Sequence, residues 1–413
     1  MGPRASLVRA LGTRDAVVIG LGSMVGAGVF TAIGPAAAAA GDWLLAALAL
    51  AGGVALCNAM ASAWLAARHP ESGGAYLYGR RQLGHFWGFL AGWAFLVGKV
   101  ASCAAMAFTI GVYLWPEQAR LLAIAAVAAL VAINYAGIQR TATATRVLLA
   151  ATLACLAVTV AALLGGGGHA APVSGVGIGS AAGIPEAAAF LFFAFAGYAR
   201  IATLGEEVRN PARTIPRAIP LALGLALLIY LTVAIAALWA VGPAVLAASS
   251  APLATAVEAG SLSGLTPVVR AGAAIASVGV LLALIAGISR TGFAMARGGD
   301  LPHGLARIHP RFRTPYRAEV AVGLLVIGAV TVGDLRGVIG FSSFAVLGYY
   351  AIANASALTL PRGHARGARV LPAVGLAGCM ALALALPWQT AAQGAMVLAA
   401  GALVFALRSG ART

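Results

Sequence analysis

Charge is the first thing this sequence has little of. Charged side chains make up 9% of its 413 residues and hydrophobic ones 61%, a ratio on which a soluble domain cannot keep its surface solvated. No polar stretch is long enough to build an aqueous core: the longest, about 297–317, is short and rich in Pro and Arg, and reads as a loop. Cysteine is scarce too. Cys57, Cys103, Cys155 and Cys379 all lie inside apolar segments with no CxxC or ligand-like spacing, so each reads as a small packing residue, and neither a disulfide nor a metal is expected. All six histidines fall at or beyond the ends of apolar segments, which leaves no imidazole inside the membrane for catalysis or metal binding. No GxxxxGK[ST] run exists, so no nucleotide-binding loop is indicated and no cofactor is expected. Acids are few, 11 against 27 basic residues for a formal net charge of +16. The basic residues sit between apolar stretches rather than on one soluble face, which argues against nucleic acid as a partner.

What is present is a succession of apolar stretches, each near the roughly 20 residues that a helix needs to cross a bilayer. The chain reads as an all-α polytopic membrane protein, with the lipid bilayer as its solvent. Spans are predicted near 15–39, 43–67, 86–115, 120–137, 145–164, 186–206, 218–241, 266–296, 318–333, 336–360, 370–387 and 389–407. Arg4, Arg9 and Arg14 precede the first span without a small-residue cleavage site, so it reads as an uncleaved helix. Lysine and arginine collect in cytoplasmic loops. With the N-terminus inside, Arg120, Arg270 and Arg336 fall outside, Lys99, Arg200 and Arg290 fall within spans, and every other basic residue lies on the cytoplasmic side.

The predicted organisation is a cytoplasmic segment 1–14, a five-helix unit 15–164, a glycine-rich external linker 165–185, a second five-helix unit 186–360, and two C-terminal helices with a short tail over 361–413. Because five is odd, the two units are inverted relative to one another, the repeat logic of many secondary transporters.

Two spans carry signs of a break. The first contains Gly20, Gly22, Gly26 and Gly28 around Ser23, Met24 and Val25, and each glycine weakens a helix by roughly 1 kcal/mol relative to alanine. An unwound turn there frees backbone N–H groups that suit a carboxylate, although Gly22 and Gly26 equally match a GxxxG packing face. The sixth span runs Phe190 to Phe195, then Ala196, Gly197 and Tyr198. A ring beside an unwound turn can close over a substrate, and the same aromatics also suit ordinary packing.

These residues resemble the amino acid–polyamine–organocation superfamily, in its amino acid permease and cationic amino acid transporter branches. Gly22 to Phe30 is similar to the family's first-helix pattern. Phe192 to Gly197, with Gly205 to Pro211 and Ile215-Pro216-Arg217, is similar to its sixth, and Ser289-Arg290-Thr291, Ala294 to Arg297, Asp300-Leu301-Pro302, His309-Pro310 and Thr314-Pro315 resemble the end of span eight and the loop after it. The resemblance implies two five-helix inverted repeats of the leucine-transporter type plus two helices, working as a secondary active permease. Backbone groups of Ser23, Val25, Gly26, Ala27 and Gly28 would meet a substrate carboxylate, Phe193 would be the gating ring, and Ala194, Phe195 and Gly197 would line the rest of the pocket. Glu206, Glu207 and Arg209 would stand at an inner gate or in loop ion pairs.

Two departures matter. Where many members have an acid after the sixth-helix glycine–aromatic pair, this chain has Ala199 and then Arg200, and where proton-coupled members carry a lysine in helix five it has Thr152. Lys99 in span three is a candidate to compensate, because a lysine deep in a membrane is costly and functional by default, with snorkelling or a structural hydrogen bond as the alternative. With no carboxylate near the centre of any span, a neutral amino acid is a better expected substrate than a cationic one or a polyamine. Protons or exchange are the expected drive. Sodium is disfavoured, because span eight has no hydroxyl from Val278 to Ile288. A membrane-embedded enzyme would need a convergent nucleophile, base or metal ligands inside the spans, and a channel would not show saturable countertransport.

Overall fold

The computed structural model describes residues 11–69, 73–137, 142–166, 179–202, 208–312, 314–361 and 369–410. The first predicted span is three pieces, α1 (Thr13–Met24), α2 (Ala27–Thr31) and α3 (Ile33–Ala40). After it come α4 (Leu44–Arg68), a short α5 (Gly74–Gln82), α6 (His85–Leu114), α7 (Ala119–Tyr135) and α8 (Ala142–Gly165). The sixth stretch holds α9 (Ile184–Phe195) and a single turn, α10 (Ala199–Ala202). The remainder is α11 (Pro211–Ala248), a short α12 (Pro252–Glu258), α13 (Thr266–Arg297), α14 (Tyr316–Val332), α15 (Leu335–Leu358), α16 (Val370–Ala385) and α17 (Trp388–Gly410). Among the described residues no strand forms beyond one isolated parallel bridge, Leu11 with Val208.

Helix therefore lies over every stretch read as a span. Nine stretches of described helix are long and apolar enough to cross a bilayer, and the α9 region and α16 are shorter apolar helices. α14 carries Glu319 in its first turn. The seventh helix is longer than the 218–241 expected. Pro211 opens it, the proline's fixed φ suiting a first turn, and Gly242 at φ 71° lets the chain kink ahead of Pro243 and continue. Most of the predicted linker, and Glu206 and Glu207 with it, lies outside the described residues.

α6 is the central element, packed by α5, α7, α13, α14, α15 and α17. Its buried face is mostly alanine, glycine and serine, which lets neighbouring backbones come close where packing rather than water drives association. The periphery has the opposite character. Leu221, Leu228 and Trp239 of α11, Leu324 and Leu325 of α14, and Leu403 and Leu407 of α17 are exposed, as lipid-facing side chains are. Trp43, Trp87, Trp115 and Trp388 are exposed at helix ends, where an amphipathic ring suits the membrane–water boundary.

Polar side chains inside the bundle act as crosslinks. Asn354 of α15 donates to Asn58 Oδ1 of α4 at 2.6 Å, and Cys379 Sγ of α16 donates to the same oxygen at 3.3 Å. Ser102 of α6 and Ser342 of α15 share a hydrogen bond of 2.7 Å. At the end of the bundle that holds α5, the Asp300 carboxylate, its side chain 2% exposed, accepts from Tyr76 at 2.8 Å and from His85 at 2.7 Å, with Arg80 at 3.7 Å. Burial, and then the bond to Asp300, push the Tyr76 phenol up to about 12, so it stays a proton donor throughout the physiological range. Asp300 thus ties α5 and the start of α6 to the segment after α13. Asp300→Asn weakens three donor contacts at once and is expected to cost about 1.5–3 kcal/mol, the usual worth of a hydrogen bond to a charged group. A lowered melting temperature of the purified protein in detergent is the readout, and an unchanged one contradicts the assignment.

Candidate functional site

The site grows from two interruptions of backbone hydrogen bonding. In the first helix the N–H of Val25 still reaches the Leu21 carbonyl at 2.8 Å, but the N–H of Gly26 turns back to Met24 O at 2.8 Å, and Gly26 sits at φ −137°, ψ −148°. The helix restarts at Ala27, and the first N–H groups of α2 have no acceptor in the turn before them. In the sixth helix α9 stops at Phe195. The N–H groups of Ala196, Tyr198, Arg200 and Ile201 reach back only three residues, to Phe193, Phe195, Gly197 and Tyr198, a tight turn in place of α-helix.

The two interruptions face each other. A Cβ on Gly28 would come within 2.6 Å of Ala194 Cα, and one on Gly197 would collide with the Ser23 carbonyl, so both positions require glycine for close backbone approach. Tyr230 of α11, fully surrounded by protein, donates from one hydroxyl to Met24 O at 2.8 Å and to Ala194 O at 2.9 Å. Its single proton is shared between the two breaks. The Phe195 ring meets the Tyr230 ring edge-on at 5.0 Å. Farther along, the Tyr113 hydroxyl donates to Phe30 O at 2.6 Å and secures α2 to α6.

A cavity of about 400 Å³ opens against the meeting point and runs to α5, with the wall between made by α6, α13 and α15. Of the residues singled out from the sequence, Ser23, Gly28, Lys99, Phe193, Ala194, Gly197 and Arg200 lie on its wall. Val25, Gly26 and Ala27 lie behind it, all buried, with Gly26 set against Val280 of α13. Phe195 faces Tyr230 instead of the cavity. Thr152 is buried on α8 and spends its hydroxyl on Leu148 O one turn earlier at 2.8 Å.

Lys99 extends from α6 across to the sixth-helix break, where its Nζ donates to Ala196 O at 3.2 Å, and the Tyr350 hydroxyl reaches the same oxygen at 3.5 Å. The residue is 5% exposed. The cations on the wall are Lys99, Arg200 and Arg290; no described carboxylate lies on the wall itself, and the buried Glu319 of α14 stands close to Arg290 off it. Phe95 and Tyr349, their rings 5.4 Å apart, supply aromatic surface along the passage.

Nothing local in the sequence marks Tyr230, Tyr350, Ser102, Met106 or Tyr349. Each is an ordinary residue in an apolar helix, and no local pattern distinguishes it from core. Ala196 is silent in the sequence for a different reason, since its contribution is a carbonyl that any residue carries.

Two substitutions test this geometry. Tyr230→Phe leaves two buried carbonyls short of a donor and is expected to cost about 1–3 kcal/mol, read as a lower melting temperature together with slowed transport. Full activity and stability would show that the breaks hold together without it. Gly26→Leu drives a side chain into Val280, which itself lines the cavity, and is expected to abolish uptake while the protein still inserts. Membrane fractionation beside the uptake assay checks both, and normal uptake removes Gly26 from the site.

Comparison with known proteins gives a consistent outcome. The amino acid permease family model matches residues 11–406. An uncharacterized transporter of Mycobacterium tuberculosis is 57% identical over 405 residues, 97% of this chain and 92% of the relative. The branched-chain amino acid permease BcaP of Bacillus subtilis is 26% identical, covering 98% of this chain and 94% of its own. Cationic amino acid transporter 4 of Homo sapiens is 29% identical, covering 86% and 60%.

Proposed function

The chain belongs to the amino acid permease family of integral membrane transporters, and we propose that it is a secondary carrier that holds the carboxylate and amine of an α-amino acid at its two broken helices and works by alternating access. The observation that carries this reading is the meeting of both breaks on one cavity wall. Unpaired N–H groups opening a helix suit a carboxylate, and carbonyls of an unwound turn suit a cation. Phe193 is the ring that closes over the substrate, while Ala194 and Gly197 limit its size. The breaks fall one in each of the units 15–164 and 186–360, which supports an inverted pair of five-helix repeats with 361–413 added outside it. The arginine asymmetry supports an orientation with both termini on the cytoplasmic side, as in a carrier of the cytoplasmic membrane.

The side chain carried is the next question, and the relatives' names point both to branched-chain and to cationic amino acids. The wall favours the first. On a wall that carries Lys99, Arg200 and Arg290 and no described carboxylate, a cationic side chain is left unpaired at low dielectric, whereas a neutral one meets Met106, Val280 and Phe193. Protons or exchange provide the drive, with Lys99 as the group on the wall suited to carrying a proton.

Uptake into proteoliposomes tests the whole reading. Labelled leucine, aspartate and lysine are offered with and without an inward proton gradient, and with and without internal substrate. Saturable uptake of the neutral amino acid is expected, with lysine and putrescine competing at least about tenfold less well, as desolvating an unpaired cation demands. Strong competition by either reverses the substrate order. Absence of uptake for every class removes the amino acid assignment.

A further inference from the structure

We propose that Lys99 is a tethered stand-in for the substrate's ammonium group: its Nζ holds the Ala196 carbonyl when no amino acid is bound, and an arriving α-ammonium takes that carbonyl by displacing it. The proposal rests on the reading of the two breaks as the amino acid site, and deepens it.

The hydrogen bonding of the sixth-helix turn leads to this assignment. Phe193 O accepts from Ala196 N–H, Phe195 O from Tyr198 N–H, Gly197 O from Arg200 N–H and Tyr198 O from Ile201 N–H. Ala194 O is held by Tyr230. The remaining carbonyl of the turn, Ala196 O, is the one served by a cation. On the first-helix side Met24 O already accepts from Gly26 N–H and Tyr230. An ammonium docking at the meeting of the breaks finds an acceptor on the sixth-helix side at Ala196 O, with Lys99 on it.

The choice of side chain supports a stand-in rather than a simple strut. Lys99 is the only lysine in the chain, and every other basic position is arginine. A guanidinium is a planar fork, while a lysine carries a compact ammonium with three donors on a flexible stem, the same group an α-amino acid presents. Holding a carbonyl needs no charge, as Tyr230 and Tyr113 demonstrate with hydroxyls in this same structure. Two ammonium groups at one oxygen repel strongly where water is scarce. Binding the amine and keeping Lys99 charged on Ala196 O are thus mutually exclusive, and Lys99 must swing into the cavity or release its proton. Substrate arrival is in this way converted into a change at the sixth-helix turn, where Tyr350 remains as the neutral donor.

Equilibrium binding to the purified full-length protein tests this. The twenty proteinogenic amino acids are screened by thermal shift, and the best binder is titrated calorimetrically beside its des-amino counterpart, the same carboxylic acid without the amine. The wild type is compared with Lys99→Met, Lys99→Gln and Lys99→Arg. Removing the charge is expected to tighten amino acid binding and not that of the des-amino acid, so that the ratio of the two Kd values rises about tenfold in Lys99→Met, with Lys99→Gln moving the same way and Lys99→Arg staying near wild type. A ratio unchanged in both neutral variants, or an amino acid affinity that falls with that of its des-amino counterpart, overturns the proposal, because a strut would affect both ligands alike. If Lys99→Met does not fold, Lys99→Gln supplies the same comparison with a polar side chain. Binding of no amino acid to the wild type overturns the amino acid reading itself, an outcome distinct from an unchanged ratio.

Discussion

Inside a bilayer there is no water to satisfy a backbone carbonyl, so a helix can be interrupted only where other parts of the protein supply the missing donors. That requirement organises this molecule. Breaking α1 from α2 and α9 from α10 exposes Met24 O, Ala194 O and Ala196 O, and the bundle answers with the hydroxyl of Tyr230 and the ammonium of Lys99, with Tyr350 beside it. These donors come from α11, α6 and α15, so the positions of three other helices are tied to the atoms of the two broken ones. The glycines at 28 and 197 serve the same end, letting the breaks approach until backbone meets backbone.

The distribution of charge follows from the same scarcity of water. The Asp300 carboxylate is paired with Tyr76, Arg80 and His85, and no described acidic side chain lies on the cavity wall. Neutral crosslinks such as Asn58 with Asn354 and Ser102 with Ser342 hold the interior without an ionic desolvation penalty. Among the described residues the wall carries cations and no acid.

Much of this was legible from the residues. Described helix lies over the stretches read as spans, nine of its runs long and apolar enough to cross a bilayer, and the glycine cluster around Gly26 and the aromatic run ending at Gly197 coincide with the two breaks. The two readings left open in the first helix both hold in part, since Gly26 packs closely against Val280 while the chain around it is unwound. Ser23, Gly28, Phe193, Ala194 and Gly197 lie on the cavity wall, while Val25, Gly26, Ala27 and Phe195 stand behind it. A resemblance assigns residues by position along a motif, and at an unwound turn neighbouring positions point in different directions, which only the backbone angles decide.

What the sequence determined by itself was therefore the solvent, the helices and where they fail, because hydropathy and glycine content are local sums that need no knowledge of neighbours. The tertiary structure decided which donor each freed carbonyl finds. Lys99 and Ala196 stand 97 positions apart, and Tyr230 bridges atoms 206 and 36 positions away. Such pairings depend on how helices cross, and helix crossing is set by side-chain packing across the whole bundle, which no window along the chain records.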